Sequence, residues 1–180
     1  MKKLFLLLLL GFTLVGFSQT TEIPDPNFEQ ALIDLGYDTA PINGSVPTAN
    51  ISGVTILDVG NKDITSLTGI EDFTALTYLD CFQNQLTSLD LSNNTALTDL
   101  ICFNNQLTSL DVSNNTALTF LSCNENQLTS LDVSNNTALT ELYCAFNQLT
   151  SLDVSANPAL EFLNCYTNQL TSLDVSANNV

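Results

Sequence analysis

The sequence predicts a repeat solenoid, with a parallel β-sheet on one side, extended or 3₁₀ segments on the other, and a small helical cap at its N-terminus. Three observations predict it. From Leu76 the chain repeats every 21 residues, in units beginning at Leu76, Leu97, Leu118, Leu139 and Leu160. Within a unit such as Leu118-Thr-Phe-Leu121-Ser-Cys123, apolar residues alternate with others, so one face of an extended segment is apolar. A unit this short cannot bury that face alone, and parallel stacking of neighbours at roughly 4.8 Å per rung buries it.

At the N-terminus, Met1-Lys2-Lys3 is a basic start, Leu4 to Phe17 an apolar core, and Gly16 and Ser18 place small residues before a cleavage point. This pattern predicts a secretory signal peptide over 1–18, and the apolar run is too short to span a bilayer comfortably. No cysteine follows it until Cys81, which argues against a lipid anchor. Next, Asp25-Pro26 reads as a helix start with proline at the first helical position. Phe28, Leu32 and Leu35 follow at helical spacing, and Gly36 supplies a stop. Tyr37 to Asn50, rich in Pro, Gly, Ser and Asn, reads as a loop. Residues 19–53 are therefore a helical cap and loop, and 54–180 the solenoid, built from one diverged 22-residue unit and five of 21.

Composition narrows the function. Cleavage after Ser18 leaves 19 carboxylates against Lys62 alone, and the whole chain has neither histidine nor tryptophan. A nucleic-acid binder needs a basic stripe to displace counterions from phosphates, and attachment to anionic lipid needs the same charge. Both are excluded, and no segment is expected to insert in a membrane. The commonest general base and metal ligand is missing too, so no catalytic residue, metal or cofactor is expected.

Each unit reads L-x-x-L-x-C-x-x-N-Q-L-T-S-L-D-V-S-x-N-x-A, with Leu91 and Val180 as single departures. This resembles the leucine-rich repeat family, whose pattern L-x-x-L-x-L-x-x-N/C-x-L is met with cysteine at the third apolar position. The resemblance implies that Asn84, Asn105, Asn126, Asn147 and Asn168 turn inward and bond backbone groups of the bend. A buried turn requires such a polar column, because its main-chain groups otherwise go unpaired. In the diverged unit Lys62 stands where that asparagine belongs, which puts the turn of the first rung in question. Ile70 and Phe73 resemble the back-side segment of internalin-type repeats. Signal peptide, cap and cysteine-bearing repeats together resemble surface proteins exported by type IX secretion, whose sorting domain is not visible here. Val180 closes a repeat at its boundary with no polar cap, so a downstream domain or a partner is expected to cover the last rung.

Cys81, Cys102, Cys123, Cys144 and Cys165 occur once per rung where the motif wants an inward apolar side chain. Rungs roughly 4.8 Å apart hold them too far apart for disulfides, and a ladder does not converge on a metal, so they read as buried thiols. Asp90, Asp111, Asp132, Asp153 and Asp174 form an outward column beside a column of serines. Local Ser or backbone donors account for it, and calcium bridging between rungs is the sharper alternative.

Four columns vary between repeats while the rest barely change: the third, fifth, seventh and eighth positions. The first three of these face out of the sheet by strand alternation. Eight of the eleven aromatic residues after Ser18 lie in these columns, mixed with carboxylates. The candidate ligand-binding residues are Tyr78, Asp80, Phe82, Asp99, Phe103, Phe120, Glu125, Glu141, Tyr143, Phe146, Phe162 and Tyr166. Aromatics and acids gathered on one face mark a recognition surface. The expected function is a secreted or cell-surface, non-enzymatic module that binds a protein or a glycan. The alternative is a structural spacer of a larger adhesin, stiffened by calcium. Paired acids such as Asp99 and Glu125 evoke glycoside cleavage, but a solenoid face offers no deep pocket for it.

Overall fold

The computed structural model describes residues 19–178; the signal segment and the final repeat position at Val180 lie outside the described residues. Six three-residue strands form one parallel sheet in chain order: β3 Ile56–Asp58, β4 Tyr78–Asp80, β5 Asp99–Ile101, β6 Phe120–Ser122, β7 Glu141–Tyr143 and β8 Phe162–Asn164. The register never slips: Leu79, Leu100, Leu121, Leu142 and Leu163 pair rung to rung. Leu121 lies between Leu100 and Leu142 with no exposure, and Cys123 is equally dry. The alternation of the sequence thus becomes an inside and an outside.

Two asparagine columns hold the turns. Asn126 Oδ1 accepts the Leu107 N–H at 3.0 Å, while its Nδ2 donates to the Cys102 carbonyl at 3.0 Å and the Cys123 carbonyl at 3.2 Å. One amide therefore satisfies backbone groups of two successive rungs. The second column, Asn94, Asn115, Asn136 and Asn157, is fully buried on the opposite side. Asn136 Nδ2 donates to the carbonyls of Val112 at 3.0 Å and Asn115 at 2.9 Å. The Oδ1 atoms of this second column have no hydrogen-bond partner among the described residues, so these positions need a donor above all. Between the columns the back of each rung makes successive i→i+3 turns, Asn94 N to Leu91 O and Leu97 N to Asn94 O. In the first rung this tightens into a 3₁₀ turn, Ile70–Asp72, with Ile70 and Phe73 buried.

The cap is built on α1, Pro26–Asp34, whose N-cap Asp25 accepts the Asn27 and Phe28 N–H groups at 2.9 and 3.1 Å. Phe28, Ala31 and Leu32 fill its apolar face. Leu35 does not: it is the C-cap residue and 45% exposed, because the chain leaves the helix there and turns at Gly36 with φ of 81°. The segment read as a loop also carries structure. Ser45–Pro47 forms strand β2, antiparallel to β1, Thr20–Glu22, and a helical turn, α2, follows at Thr48–Ile51. The hairpin partner is 25 residues away across the helix, so local sequence does not reveal it. Glu29, buried in α1, fixes the connection by accepting the Asn43 and Gly44 N–H groups at 2.6 and 2.8 Å. Gly69 lets β1 press against the first rung, since a Cβ there would collide with Ile23 and the Glu22 carbonyl.

The turn of the first rung closes without its own asparagine. Asn84 reaches back, accepting the Lys62 and Ile64 N–H groups at 3.1 and 3.0 Å and donating to the Val59 carbonyl at 2.9 Å. Each asparagine serves the rung before it, so the one missing at 62 would have faced the cap. There α1 substitutes: Asn27 Nδ2 donates to the Asp63 carbonyl at 2.9 Å. Asp25 Oδ2 accepts the Thr65 N–H, the Thr65 hydroxyl and the Ser66 N–H at 2.7, 2.6 and 3.0 Å. Burial pushes the Asp25 carboxyl up, but the donors from Thr65, Phe28 and Ser66 outweigh it and hold it below its ordinary value.

Candidate functional site

The outward face of the sheet carries two side chains per strand. One row runs Tyr78, Asp99, Phe120, Glu141, Phe162, and the next Asp58, Asp80, Ile101, Ser122, Tyr143, Asn164, each neighbour in register. A third row, Phe82, Phe103, Asn124, Ala145, Tyr166, lies just past the strand ends. Ten of the twelve candidate residues stand in these rows. Glu125 and Phe146 do not. They occupy the rim turn, the left-handed residue of each rung, with φ of 52° at both. Gln83, Asn104 and Thr167 share that conformation, so the eighth column is a turn column. Phe146 still joins the patch through an edge-to-face contact with Tyr166, ring centroids 4.8 Å apart.

Acids and rings mix along the rows, and Ile56, 62% exposed, stands beside Tyr78 on the first strand. On β3 to β5, Asp58, Asp80 and Asp99 surround Tyr78. Partial burial pushes the Tyr78 hydroxyl up, and Asp80, Asp58 and Asp99 push it further. The Asp80 carboxyl is raised by burial and by Asp58, against the lowering effect of the Phe82 N–H it accepts. Along β6 to β8 the rings take over: Phe120 packs on Tyr143 at 5.5 Å and Tyr143 on Phe162 at 4.8 Å. The Tyr143 hydroxyl donates to Glu141 Oε2 at 3.0 Å, which fixes both side chains and raises the tyrosine. Phe82 and Phe103 stack at 5.1 Å on the rim of the acidic half, and Phe82 lies over Gly60, where a side chain would overlap the ring.

Elsewhere the chemistry is spent on structure. Cys81, Cys102, Cys123 and Cys144 are buried free thiols, and desolvation pushes them up, Cys144 to about 12. The outward aspartates are Asx turns: Ser92, Ser113, Ser134, Ser155 and Ser176 donate their N–H groups to Asp90, Asp111, Asp132, Asp153 and Asp174 at 2.9 to 3.0 Å. Those bonds hold the carboxyls below their ordinary value. The surface hollows between these turns are shallow, open and polar. Among the described residues no three His, Cys, Asp or Glu side chains converge as a metal site would require. No described helix is long and apolar enough to cross a membrane. Sequence reasoning missed the second asparagine column and the threonines that tie rung to rung, Thr98 Oγ1 to the Thr77 carbonyl at 3.0 Å for example. Their signal was recurrence at polar positions, strict for the asparagines and broken only by Glu161 for the threonines.

A family model described as Leucine Rich repeats (2 copies) matches residues 137–178, and one described as LVIVD repeat matches 100–125. Internalin J of Listeria monocytogenes is 45% identical over 71 residues, 39% of this chain and 8% of that protein. A solved functional domain of InlJ from Listeria monocytogenes, described as including a cysteine ladder, is similar at 36% identity, with a TM-score of 0.63, over 89% of this chain and 46% of that one. The internalin inlF of the same species is 28% identical with a TM-score of 0.76, over 86% of this chain and 46% of its own. A leucine-rich-repeat protein of Leptospira interrogans is 25% identical with a TM-score of 0.69, over 74% and 37%. The chain thus spans less than half the length of each of these proteins.

Proposed function

From the premise that this chain is a leucine-rich-repeat protein similar to the internalins, we propose that it is a recognition module, exported and without enzymatic activity. Its ligand, a protein or a glycan, sits on the outward sheet face. The observation that carries this reading is the division of variation. Interior columns of Leu, Cys and Asn repeat almost unchanged, whereas the outward rows of the sheet change at most rungs and collect the aromatics. Stability demands the first pattern and does not explain the second, because half-exposed rings contribute less to stability than buried ones. Domain roles follow the sequence: 1–18 directs export, 19–53 covers the first rung, and 54–180 presents the face.

Arrays of immobilised peptides and oligosaccharides, probed with the secreted chain, test it. Replacing Phe103, Phe120 and Tyr143 together by alanine is expected to abolish the binding found while leaving the melting curve cooperative. Unchanged binding refutes the assignment. A spacer role has its own support in the side-chain bonds that couple every rung to the next. If calcium stiffens such a spacer, EDTA lowers its melting midpoint; an insensitive curve removes that version.

A further inference from the structure

The chain contains one Asn-Gly pair, Asn43-Gly44, and the fold places it where helix α1 meets the β1–β2 hairpin. The Gly44 carbonyl accepts the Ile23 N–H at 2.9 Å, Ser45 pairs with Glu22, and Glu29 of α1 holds the Asn43 and Gly44 N–H groups. Asparagine followed by glycine rearranges readily in an unfolded chain, because glycine puts no Cβ in the way of ring closure. The Gly44 nitrogen loses its proton and attacks Asn43 Cγ, forming a C–N bond as the side-chain nitrogen leaves as ammonia. Water then opens the succinimide ring at either carbonyl, giving aspartate or isoaspartate. Water is consumed and ammonia released in equal amounts, and no oxidant or cofactor takes part.

Crowding does not prevent this in the fold. Asn43 is exposed, and a Cβ built on Gly44 would meet nothing within 4 Å. Hydrogen bonds are what stand against it. The proton that must leave Gly44 lies between its nitrogen and Glu29 Oε2, 2.8 Å apart, and Glu29 is fully buried. That proton is screened from bases in solvent, and the amide anion would have to form against a carboxylate. The electrophile is tied as well. Asn43 Oδ1 accepts the Ser45 N–H at 3.1 Å and the Ser45 hydroxyl at 2.8 Å, which fixes the side chain. Opening the cap removes both restraints at once.

We propose that Asn43 is a covalent modification site guarded by Glu29 and Ser45, silent while the cap is closed and converted to aspartate or isoaspartate once it opens. Conversion to isoaspartate is one-way for the fold. The backbone gains a methylene between residues 43 and 44, so one carboxylate no longer holds both N–H groups. The Ile23 bond to Gly44 and the pairing of Glu22 with Ser45 lose their register with it. The cap above Leu57, Val59 and Ile64 then does not close again as before. This inference stands apart from the reading of the sheet face.

The full secreted chain, incubated in mildly alkaline buffer with and without urea and mapped by peptide mass spectrometry, tests it. Conversion at Asn43 is expected to be at least about tenfold slower in the folded chain than in urea, as for a site that reacts only from locally opened molecules. Glu29→Gln and Ser45→Ala are expected to speed conversion in buffer, and hydrogen exchange of the α1 amides reports whether each variant's cap stays closed. Faster conversion with α1 still protected supports the guard. After removal of urea, chains carrying isoaspartate at 43 are expected to leave α1 unprotected, while unconverted chains regain protection. Equal rates in buffer and urea overturn the proposal, as does the parent's rate in both variants or full α1 protection in refolded isoaspartate chains. Should Glu29→Gln open the cap by itself, Ser45→Ala decides: conversion no faster than the parent's, with α1 protected, overturns the guard.

Discussion

The first and last described rungs share a sequence pattern and differ in what covers them. In the first, Leu57, Val59 and Ile64 are fully buried beneath the cap. In the last, Leu173 and Val175 are 39% and 50% exposed, and Leu163, Cys165 and Leu170 are only half-buried. The same letters therefore carry different free energies. A rung's interior is made by its two neighbours, and removing one neighbour removes much of the burial without changing a residue. The two ends also differ in how they treat polar groups. Asp25 and Asn27 stand in for a preceding rung, whereas Asn168 bonds its own rung at Cys165 and the one before at Cys144, and Asn178 the one before at Val154.

This contrast can be broken experimentally, and the largest test is within the core. Leu121→Ala is expected to cost about 3–5 kcal/mol in urea unfolding, whereas the equivalent Leu163→Ala in the last rung costs only about 1 kcal/mol. Equal losses would mean that the last rung is as well packed as the middle. The cap comes next. Asp25→Ala is expected to cost about 2–3 kcal/mol, since it removes a helix cap and leaves Thr65 and Ser66 donors unpaired. The pH dependence has a definite sign: a carboxyl lower in the folded than in the unfolded chain stabilises above its unfolded value, and that stabilisation is lost as pH falls through its folded value. The Asp25→Ala variant should therefore show a shallower acid loss than the parent, and an identical pH profile contradicts the cap's electrostatic role.

Thiol labelling sharpens the comparison further. Under native conditions Cys165 is expected to react first, with Cys81, Cys102 and Cys123 protected until global unfolding. Simultaneous labelling of all five would show that the ladder opens as one piece. The smallest effect is at the acidic half of the face. Asp80 is raised in the fold, so it destabilises once pH exceeds its unfolded value, and Asp80→Asn is expected to raise the melting midpoint slightly at pH of about 7 and not at about 3. A lowered midpoint at neutral pH would show that the carboxylate is structural.

Much of this was legible in the sequence, for reasons that differ by element. Leu121, Cys123 and Asn126 were readable because a fixed period with fixed chemistry allows only one stacking. Asp25-Pro26 announced its helix because capping is local. The strand Ser45–Pro47 was not readable, since its partner Thr20–Glu22 lies across a helix and its pairing is a tertiary fact. Nor was the turn at Lys62, because the group that closes it, Asn84, belongs to the next rung. At the face, the variable columns pointed to rows that the structure turns outward, but not to their geometry. Glu125 and Phe146 vary like the others, yet backbone handedness puts them on the rim.

By itself the sequence determined the solenoid, the identity of its interior columns and the concentration of aromatics and acids outside them. Periodicity specifies neighbours, and burial follows from having neighbours. Only the tertiary structure decided that an asparagine serves the rung before its own, that the cap replaces the one at 62, and that the eighth column lies on the rim and not on the face. Those outcomes depend on which atoms come within a few ångströms across rungs, a distance that spacing along the chain does not encode.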